Sequence, residues 1–284
     1  MKPAAFSYHA PRSLDEALDL LALHGDEGKL LAGGQSLVPA MNFRLARPAV
    51  LIDINRIAAL DFLGAENGWL RIGALSRHVA FERPVAAGPL GALLPRIARD
   101  VAHLPIRVRG TFAGSLAHAD PAAEWTLAAA TLGAEILARS SAGERALAAD
   151  GFFRTAFTTA LRPDELITEV RLPLLGDAWR CGFMEFSRRK GDFALAMALA
   201  VVRLEGGRIA EARIGVGGAE HRPRRIEAAE QVLVGASAGK EAFAEAGAAV
   251  AAALEPASDI HASAEYRRDL AGVMTRRALA AALA

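Results

Sequence analysis

Leu31-Ala32-Gly33-Gly34-Gln35-Ser36-Leu37 is the stretch on which the reading of this chain turns. It leaves a short apolar run, Lys29–Ala32, at a glycine pair, and a helical stretch opens at Ser36 or Leu37 and runs toward Leu45. Glycine lets the main chain approach a ligand closely and permits positive φ, which turns successive N–H groups the same way. A row of such groups suits a pyrophosphate; Ser36 adds a hydroxyl donor, and the following helix would point its N-terminus at the phosphates. Alone, a Gly-Gly pair reads as a turn. A second stretch, Gly110-Thr111-Phe112-Ala113-Gly114-Ser115-Leu116, repeats the chemistry before the chain reaches Asp120-Pro121-Ala122-Ala123-Glu124. Two such loops fit a dinucleotide whose pyrophosphate is clamped from two sides. Neither has the G-x-G-x-x-G spacing nor the Lys-Ser/Thr of a P-loop, so the phosphate site is of another kind.

Around these loops the elements follow from pattern. Ser13–His24 reads as a helix with Ser13 and Glu16 as a capping box, Leu14, Leu18 and Leu21 on one face, and Gly25 as its stop. Val50–Ile54 and Trp69–Ala74 read as strands. Leu90–His103 has helical periodicity with Leu93, Leu94, Ile97 and Val101 inward, whereas Pro105–Ser115 shows no clear period. Asp120 before Pro121 predicts an N-cap for a helix over Ala122–Leu132. Glu135–Arg139 and Arg145–Ala148 predict a hairpin, and Leu166–Leu172 a strand ending at Pro173. Proline, glycine and charge cluster at Pro173–Ala178 and mark a boundary. Beyond it, Cys181–Ser187, Ala198–Leu204 and Arg208–Gly217 read as strands. Two alanine-rich helices, about Ala238–Leu254 and Ser263–Leu283, close the chain. Tyr266, Leu270, Val273 and Met274 form the apolar stripe of the last.

With 284 residues the chain has room for two packed domains. Lys plus Arg is 33 against 32 Asp plus Glu, which argues against a nucleic-acid or anionic-membrane partner. The local patch His221–Arg225 reads as a solvated turn. The single cysteine, Cys181, excludes a disulfide within the chain. It also excludes an iron–sulfur cluster ligated by this chain alone, which needs about four thiolates. The N-terminus shows no secretory h-region. The longest apolar run, Phe193–Val202, falls short of the ~20 residues of a membrane span. The expectation is a soluble, cytoplasmic protein. His78, His103 and His118 read as structural; no catalytic residue and no metal ligand is expected.

Ala32–Leu37 with Asn42-Phe43-Arg44 and Leu51-Ile52-Asp53-Ile54-Asn55, then Ile72–His78, Thr111–Glu124 and Arg188–Ala194, resemble a known family over nearly the whole chain. It is the FAD-binding medium subunit of molybdenum hydroxylases, of the carbon monoxide dehydrogenase and xanthine dehydrogenase type. The resemblance implies an α+β architecture: a vanillyl-alcohol-oxidase-type FAD-binding fold of two α/β subdomains, plus a C-terminal α/β domain with a small antiparallel sheet. The implied domains are residues 1–176 (subdomains about 1–57 and 58–176) and 177–284. It implies that Ala32, Gly33, Gly34, Gln35, Ser36 and Leu37 of the first loop bind FAD. From the second loop it implies Thr111, Phe112, Ala113, Gly114 and Ser115. Beyond the loops it implies Asp120 or Glu124 as an acidic ligand, Leu166 near the flavin ring system, and Phe193 against the isoalloxazine.

The chain departs from the family at two places. Phe112-Ala113 stands where Ile-Gly is usual. A lysine that some relatives use near the flavin has no match at Met184-Glu185, and Lys190 is the nearest candidate. Wider members of the fold attach FAD covalently through a histidine in the first loop. Gln35 cannot form that bond, so the FAD is expected to be non-covalent. The resemblance further implies partners: a large molybdenum subunit that oxidises the substrate and a small subunit whose 2Fe–2S clusters relay electrons to this FAD. The flavin would then reduce a quinone, NAD or oxygen, in a dimer of heterotrimers. Two alternatives stay open: a self-contained FAD-dependent oxidase of the same fold, and a flavin-binding regulatory module.

Overall fold

Three short parallel strands begin the chain in a computed structural model that describes residues 1–284. They are β1 (Ser7–His9), β2 (Gly28–Leu31) and β3 (Val50–Asp53), ordered β1-β3-β2. Helix α1 (Leu14–His24) lays Ala17, Leu18 and Leu21 on them. Ser13 Oγ accepts the N–H of Glu16 at 3.2 Å as expected. The reciprocal half differs: the Glu16 carboxylate takes the N–H of Arg12, not of Ser13. Gly25 ends the helix at φ 50°. Helix α2 (Leu37–Asn42) is shorter than expected, because Arg44 turns to φ 59° before Leu45.

The second unit is a five-stranded antiparallel sheet ordered β4-β5-β10-β6-β7. Its strands are β4 (Leu63–Glu66), β5 (Trp69–Gly73), β6 (Glu135–Ser140), β7 (Gly143–Ala148) and β10 (Leu166–Pro173). Helix α3 (Gly88–Ala98) precedes α4 (Leu104–Arg107), α5 (Phe112–His118) and α6 (Glu124–Leu132). The small elements α7 (Ala149–Phe152), β8 (Phe153–Thr155) and β9 (Thr158–Thr159) join β7 to β10. Two expectations are corrected here. Pro105–Ser115 is largely helical, but α4 and α5 have four and seven residues, too short to repeat an apolar face. The helix expected from Ala122 starts at Glu124, because Asp120 Oδ1 accepts from Ala122 N and closes a local turn instead of capping.

The chain ends in an antiparallel sheet of β11 (Trp179–Ser187), β12 (Ala194–Glu205), β13 (Arg208–Gly217) and β14 (Arg224–Arg225). Helices α8 (Glu227–Leu233), α9 (Lys240–Ala253) and α10 (Ala264–Ala282) complete it. Strand β12 explains the long apolar run. Met197, Leu199 and Val201 point into the core shared with the first two units. Ala196, Ala198, Ala200 and Val202 point into a second core against α9 and α10. A strand covered on both faces loses the apolar–polar alternation of a half-exposed one. In α10, Leu270 and Met274 are buried as expected, but Tyr266 is 45% exposed. The architecture is α+β with small antiparallel sheets, and no helix is long and apolar enough to cross a membrane.

Candidate functional site: two loops in backbone contact

The two glycine loops meet main chain to main chain. A Cβ built on Gly33 would lie 2.5 Å from Gly110 Cα and 2.6 Å from the Arg109 carbonyl oxygen. Gly34 adopts φ 72°, the left-handed region that favours glycine. Around this contact the main-chain N–H groups of Gly33 through Leu37, and those of Thr111 and Ala113, donate to no acceptor in the protein. Gly33, Thr111 and Ala113 are buried. Buried N–H groups without partners are rare in folded chains, and three of these seven belong to buried residues of the two loops that meet here. The arrangement fits an acidic group such as a pyrophosphate. Thr111 Oγ1 caps α5 by accepting from Gly114 N at 3.0 Å, which leaves its O–H free to donate. Helices α2 and α5 have six and seven residues, so loop N–H groups rather than long helix dipoles supply the positive field.

Three residues that carried no role in the sequence reading hold this junction. Asn55 Nδ2 donates to the Ala32 carbonyl at 2.8 Å and to Asp53 Oδ1 at 2.5 Å. Arg77 Nη2 donates to Asn55 Oδ1 at 2.5 Å, and its Nη1 donates to the Arg109 carbonyl. Arg77 thus clasps the first loop to the second. On either side of it, Phe112 N donates to Ser76 O and His78 N to Gly110 O, both at 3.0 Å. Asp53, Asn55 and Arg77 lie in the segments Leu51–Asn55 and Ile72–His78, whose motif was visible in sequence although their partners were not.

His78 is buried among aromatic rings. Its Nδ1 accepts the indole N–H of Trp125 at 3.0 Å, beside the packed rings of Phe81, Phe112 and Trp125. Burial first, then Arg77 and Arg107, push its pKa down to about 4. The folded state therefore resists protonation that the unfolded chain accepts below about 6.5. This contribution is complete above pH 6.5 and is lost as the pH falls toward 4, by about 3 kcal/mol. Urea unfolding of wild type and His78→Gln at pH 7 and pH 5 measures it: wild type should lose more stability between the two. Equal losses would refute the assignment.

The other expected site residues divide into groups. Asp120 and Phe193 line one cavity of about 730 Å³ with Phe157, Arg188, Arg189 and Arg267. Phe193 is 74% exposed there. Lys190 lies apart from them, in a cavity of about 490 Å³ with Glu82, Arg99, His103 and Arg107. Leu166 and Phe112 are fully packed into the core, so any contact from them to a ligand runs through main chain. Glu124 is buried at the start of α6, and its carboxyl has no hydrogen-bond partner among the side chains. Burial, reinforced by Asp100 and Asp120, raises its pKa well above the usual carboxylate range. Cys181 is half-buried, and burial pushes its thiol up to about 12.

An α+β chain that joins two donor-rich glycine loops by main-chain contact fits a dinucleotide-binding protein. Residues 4–175 match the family described as FAD binding domain in molybdopterin dehydrogenase, and 182–282 match the CO dehydrogenase flavoprotein C-terminal domain. The chain belongs to the FAD-binding medium subunits of the molybdenum hydroxylase family and is an oxidoreductase subunit. It is 40% identical to the 6-hydroxypseudooxynicotine dehydrogenase complex subunit alpha of Paenarthrobacter nicotinovorans, covering 100% of this chain and 96% of the relative. It is 35% identical to the carbon monoxide dehydrogenase medium chain of Hydrogenophaga pseudoflava, covering 100% and 99%. Among solved structures, carbon monoxide dehydrogenase from Hydrogenophaga pseudoflava superposes with a TM-score of 0.96 at 37% identity, covering 100% and 99%. Quinoline 2-oxidoreductase from Pseudomonas putida 86 does so at 0.92 and 39%, covering 99% and 98%.

Proposed function

We propose that this chain is the FAD-carrying electron-transfer subunit of a molybdenum-containing hydroxylase or dehydrogenase complex, working in the cytoplasm. Seven unpaired main-chain N–H groups, carried by the two loops that meet at the Gly33–Gly110 contact, support the reading. In it, Ala32–Leu37 and Thr111–Ser115 hold the FAD pyrophosphate, with Arg77 and Asn55 fixing the two loops in register. Bound FAD supplies the redox chemistry, and the chain supplies position, donors and exclusion of water. Glu124, Asp120 and Phe193 serve the remainder of the cofactor. The domains are residues 1–176 and 177–284.

The partners in this reading are a large molybdenum subunit and a small 2Fe–2S subunit, arranged as a dimer of heterotrimers. The chain offers no set of three His, Cys, Asp or Glu placed to hold a metal, and its one cysteine cannot ligate a cluster. The relatives bear on the substrate only through their names. Nicotine, caffeine, carbon monoxide and glyceraldehyde appear in them, although this chain spans at least 96% of each. A shared flavin chain combined with differing substrates supports substrate choice by a partner.

Affinity purification of the tagged chain from its own host should bring down one molybdenum-containing and one iron–sulfur chain. Turnover of a small substrate by the isolated chain would support the self-contained oxidase instead. Gln35 cannot bond covalently to the flavin and instead donates to the Gly33 carbonyl at 3.0 Å. Acid precipitation should therefore leave the flavin in the supernatant. Flavin retained on the pellet would refute non-covalent binding.

A further inference from the structure

Tyr8 lies in β1, paired with Leu51 of β3. It is 52% exposed, so core packing does not account for it. Its hydroxyl donates to Asp53 Oδ2 at 2.5 Å. The other oxygen, Asp53 Oδ1, accepts the main-chain N–H of Asn55 at 3.0 Å and the amide Nδ2 at 2.5 Å. Both oxygens are thus held, and the carboxylate cannot turn without losing a bond. Burial alone would raise its pKa, but the hydrogen bonds from Tyr8 and Asn55 hold it below the usual carboxylate range. The bond to Asp53 holds the Tyr8 phenol above its usual value, so the donor keeps its proton at neutral pH.

Charged Asp53 in turn fixes the amide of Asn55. A side-chain amide can flip, which exchanges its donor for its acceptor. Flipped, Asn55 would turn its oxygen on Asp53 Oδ1 and the Ala32 carbonyl, and its NH2 on the Arg77 guanidinium. All three contacts would then oppose like with like. As oriented, the amide grips the first loop at Ala32 and gives Arg77 Nη2 its acceptor, while Arg77 Nη1 reaches the Arg109 carbonyl beside the second loop. Hydrogen bonds in such a chain polarise one another, so losing the outermost weakens those within. Tyr8 stands at the outer end of the chain, and its hydroxyl bonds to neither loop.

We infer that Tyr8 is a positioning residue for the cofactor: through Asp53 it fixes the Asn55 amide, and so keeps both glycine loops in the register that receives the FAD pyrophosphate. The inference rests on the FAD reading above. Tyr8 acts on the ligand only through other side chains, so its effect depends on Asn55. Tyr8→Phe removes the hydroxyl and keeps the ring and the β1–β3 pairing. Asn55→Ala cuts the chain at its centre.

The test is a double-mutant cycle on the full chain, read as the FAD Kd by equilibrium dialysis. Wild type, Tyr8→Phe, Asn55→Ala and the double variant are compared, with circular dichroism of each FAD-free protein as the check on folding. Tyr8→Phe should raise the Kd about 2- to 12-fold in the wild-type background, the worth of one hydrogen bond. In the Asn55→Ala background the same change should move the Kd by less than about twofold, because coupled residues are not additive. A purely structural hydroxyl would not make its effect on FAD depend on Asn55. Should Asn55→Ala fail to fold, Asn55→Ser, which also lacks the amide, serves as the background. An unchanged Kd in Tyr8→Phe would overturn the inference. So would equal rises in both backgrounds, which would place the hydroxyl in direct contact with the ligand or in the general stability of the fold. Wild-type protein that binds no FAD would overturn the FAD reading itself, and the inference with it.

Discussion

Gly33→Ala should weaken FAD binding by roughly 5- to 150-fold, although it adds a single methyl group. That methyl would fall 2.5 Å from Gly110 Cα and 2.6 Å from the Arg109 carbonyl oxygen, both main-chain atoms. Main chain cannot rotate aside as the tip of a side chain can, so the loops must part. Forcing a methyl into packed surroundings costs about 1–3 kcal/mol; carried over to the paired-loop geometry that holds the pyrophosphate, that is the stated range in Kd. Parting them also stretches the Arg77 clasp, whose two ends lie on Asn55 and the Arg109 carbonyl. Equilibrium dialysis against FAD measures the change, and circular dichroism of the FAD-free protein checks that the variant folds. Gly64→Ala is the control. It lies in β4 outside both loops, and its new Cβ would meet nothing within 4 Å. A folded Gly33→Ala protein with wild-type FAD affinity would refute the two-loop site.

The physical reason for Gly33 differs from the one that the sequence suggests. A glycine pair after a strand implies close approach to a ligand, and the donors at Gly33–Leu37 agree with that. Gly33 itself is small because another loop, some 77 residues away, presses against it. Local chemistry is legible in sequence; a tertiary neighbour is not. Asn55 and Arg77 illustrate the same limit. Each lay in a segment that the family motif singled out, yet the bond between them spans 22 residues, and the bond from Arg77 to Arg109 spans 32. Nothing in the spacing announces such a clasp.

Other parts were legible wherever the period ran long enough. Helices α1, α3, α9 and α10, the β6–β7 hairpin and the three long C-terminal strands all follow from apolar spacing and their capping or turn residues. Helix α5, which carries most of the second loop, was not read as a helix. Seven residues supply less than two turns, and Phe112, Ala113 and Leu116 pack as the core demands without completing a visible stripe. Glu185 was read only as a departure from a family lysine. Its register opposite Met197 and its lack of a salt-bridge partner are tertiary facts that a one-dimensional pattern does not contain.

Arg267→Met should lower the melting temperature by about 6–12 °C while leaving the stabilisation by FAD intact. Arg267 is 7% exposed in α10. Its Nη1 donates to the Leu195 and Gly218 carbonyls at 3.0 Å each, and its Nη2 to Asp259 Oδ2 at 2.6 Å. One guanidinium therefore joins the start of β12 to the end of β13. Through Gly218, whose N–H donates to Pro121 O at 2.9 Å, it also reaches the segment carrying Asp120. Charged hydrogen bonds contribute about 1.5–3 kcal/mol each, and methionine leaves both carbonyls without their donor. A total loss on the order of 3 kcal/mol, at about 2–4 °C per kcal/mol, gives the expected shift. Arg267→Lys should fall between the two, because an ammonium lacks the planar fork that serves three acceptors. The separation from FAD follows from bonding. Arg267 shares the wall of the 730 Å³ cavity with Asp120 and Phe193. Its bonds go to protein acceptors and none goes to either glycine loop, so the pyrophosphate contacts stay intact. Adding FAD should accordingly raise the melting temperature of wild type and Arg267→Met by the same increment. A variant that melts within about 2 °C of wild type would show that the β12–β13 junction holds without the guanidinium. Loss of the FAD increment in a folded variant would show instead that this junction positions the cofactor through the cavity that Asp120 and Phe193 line.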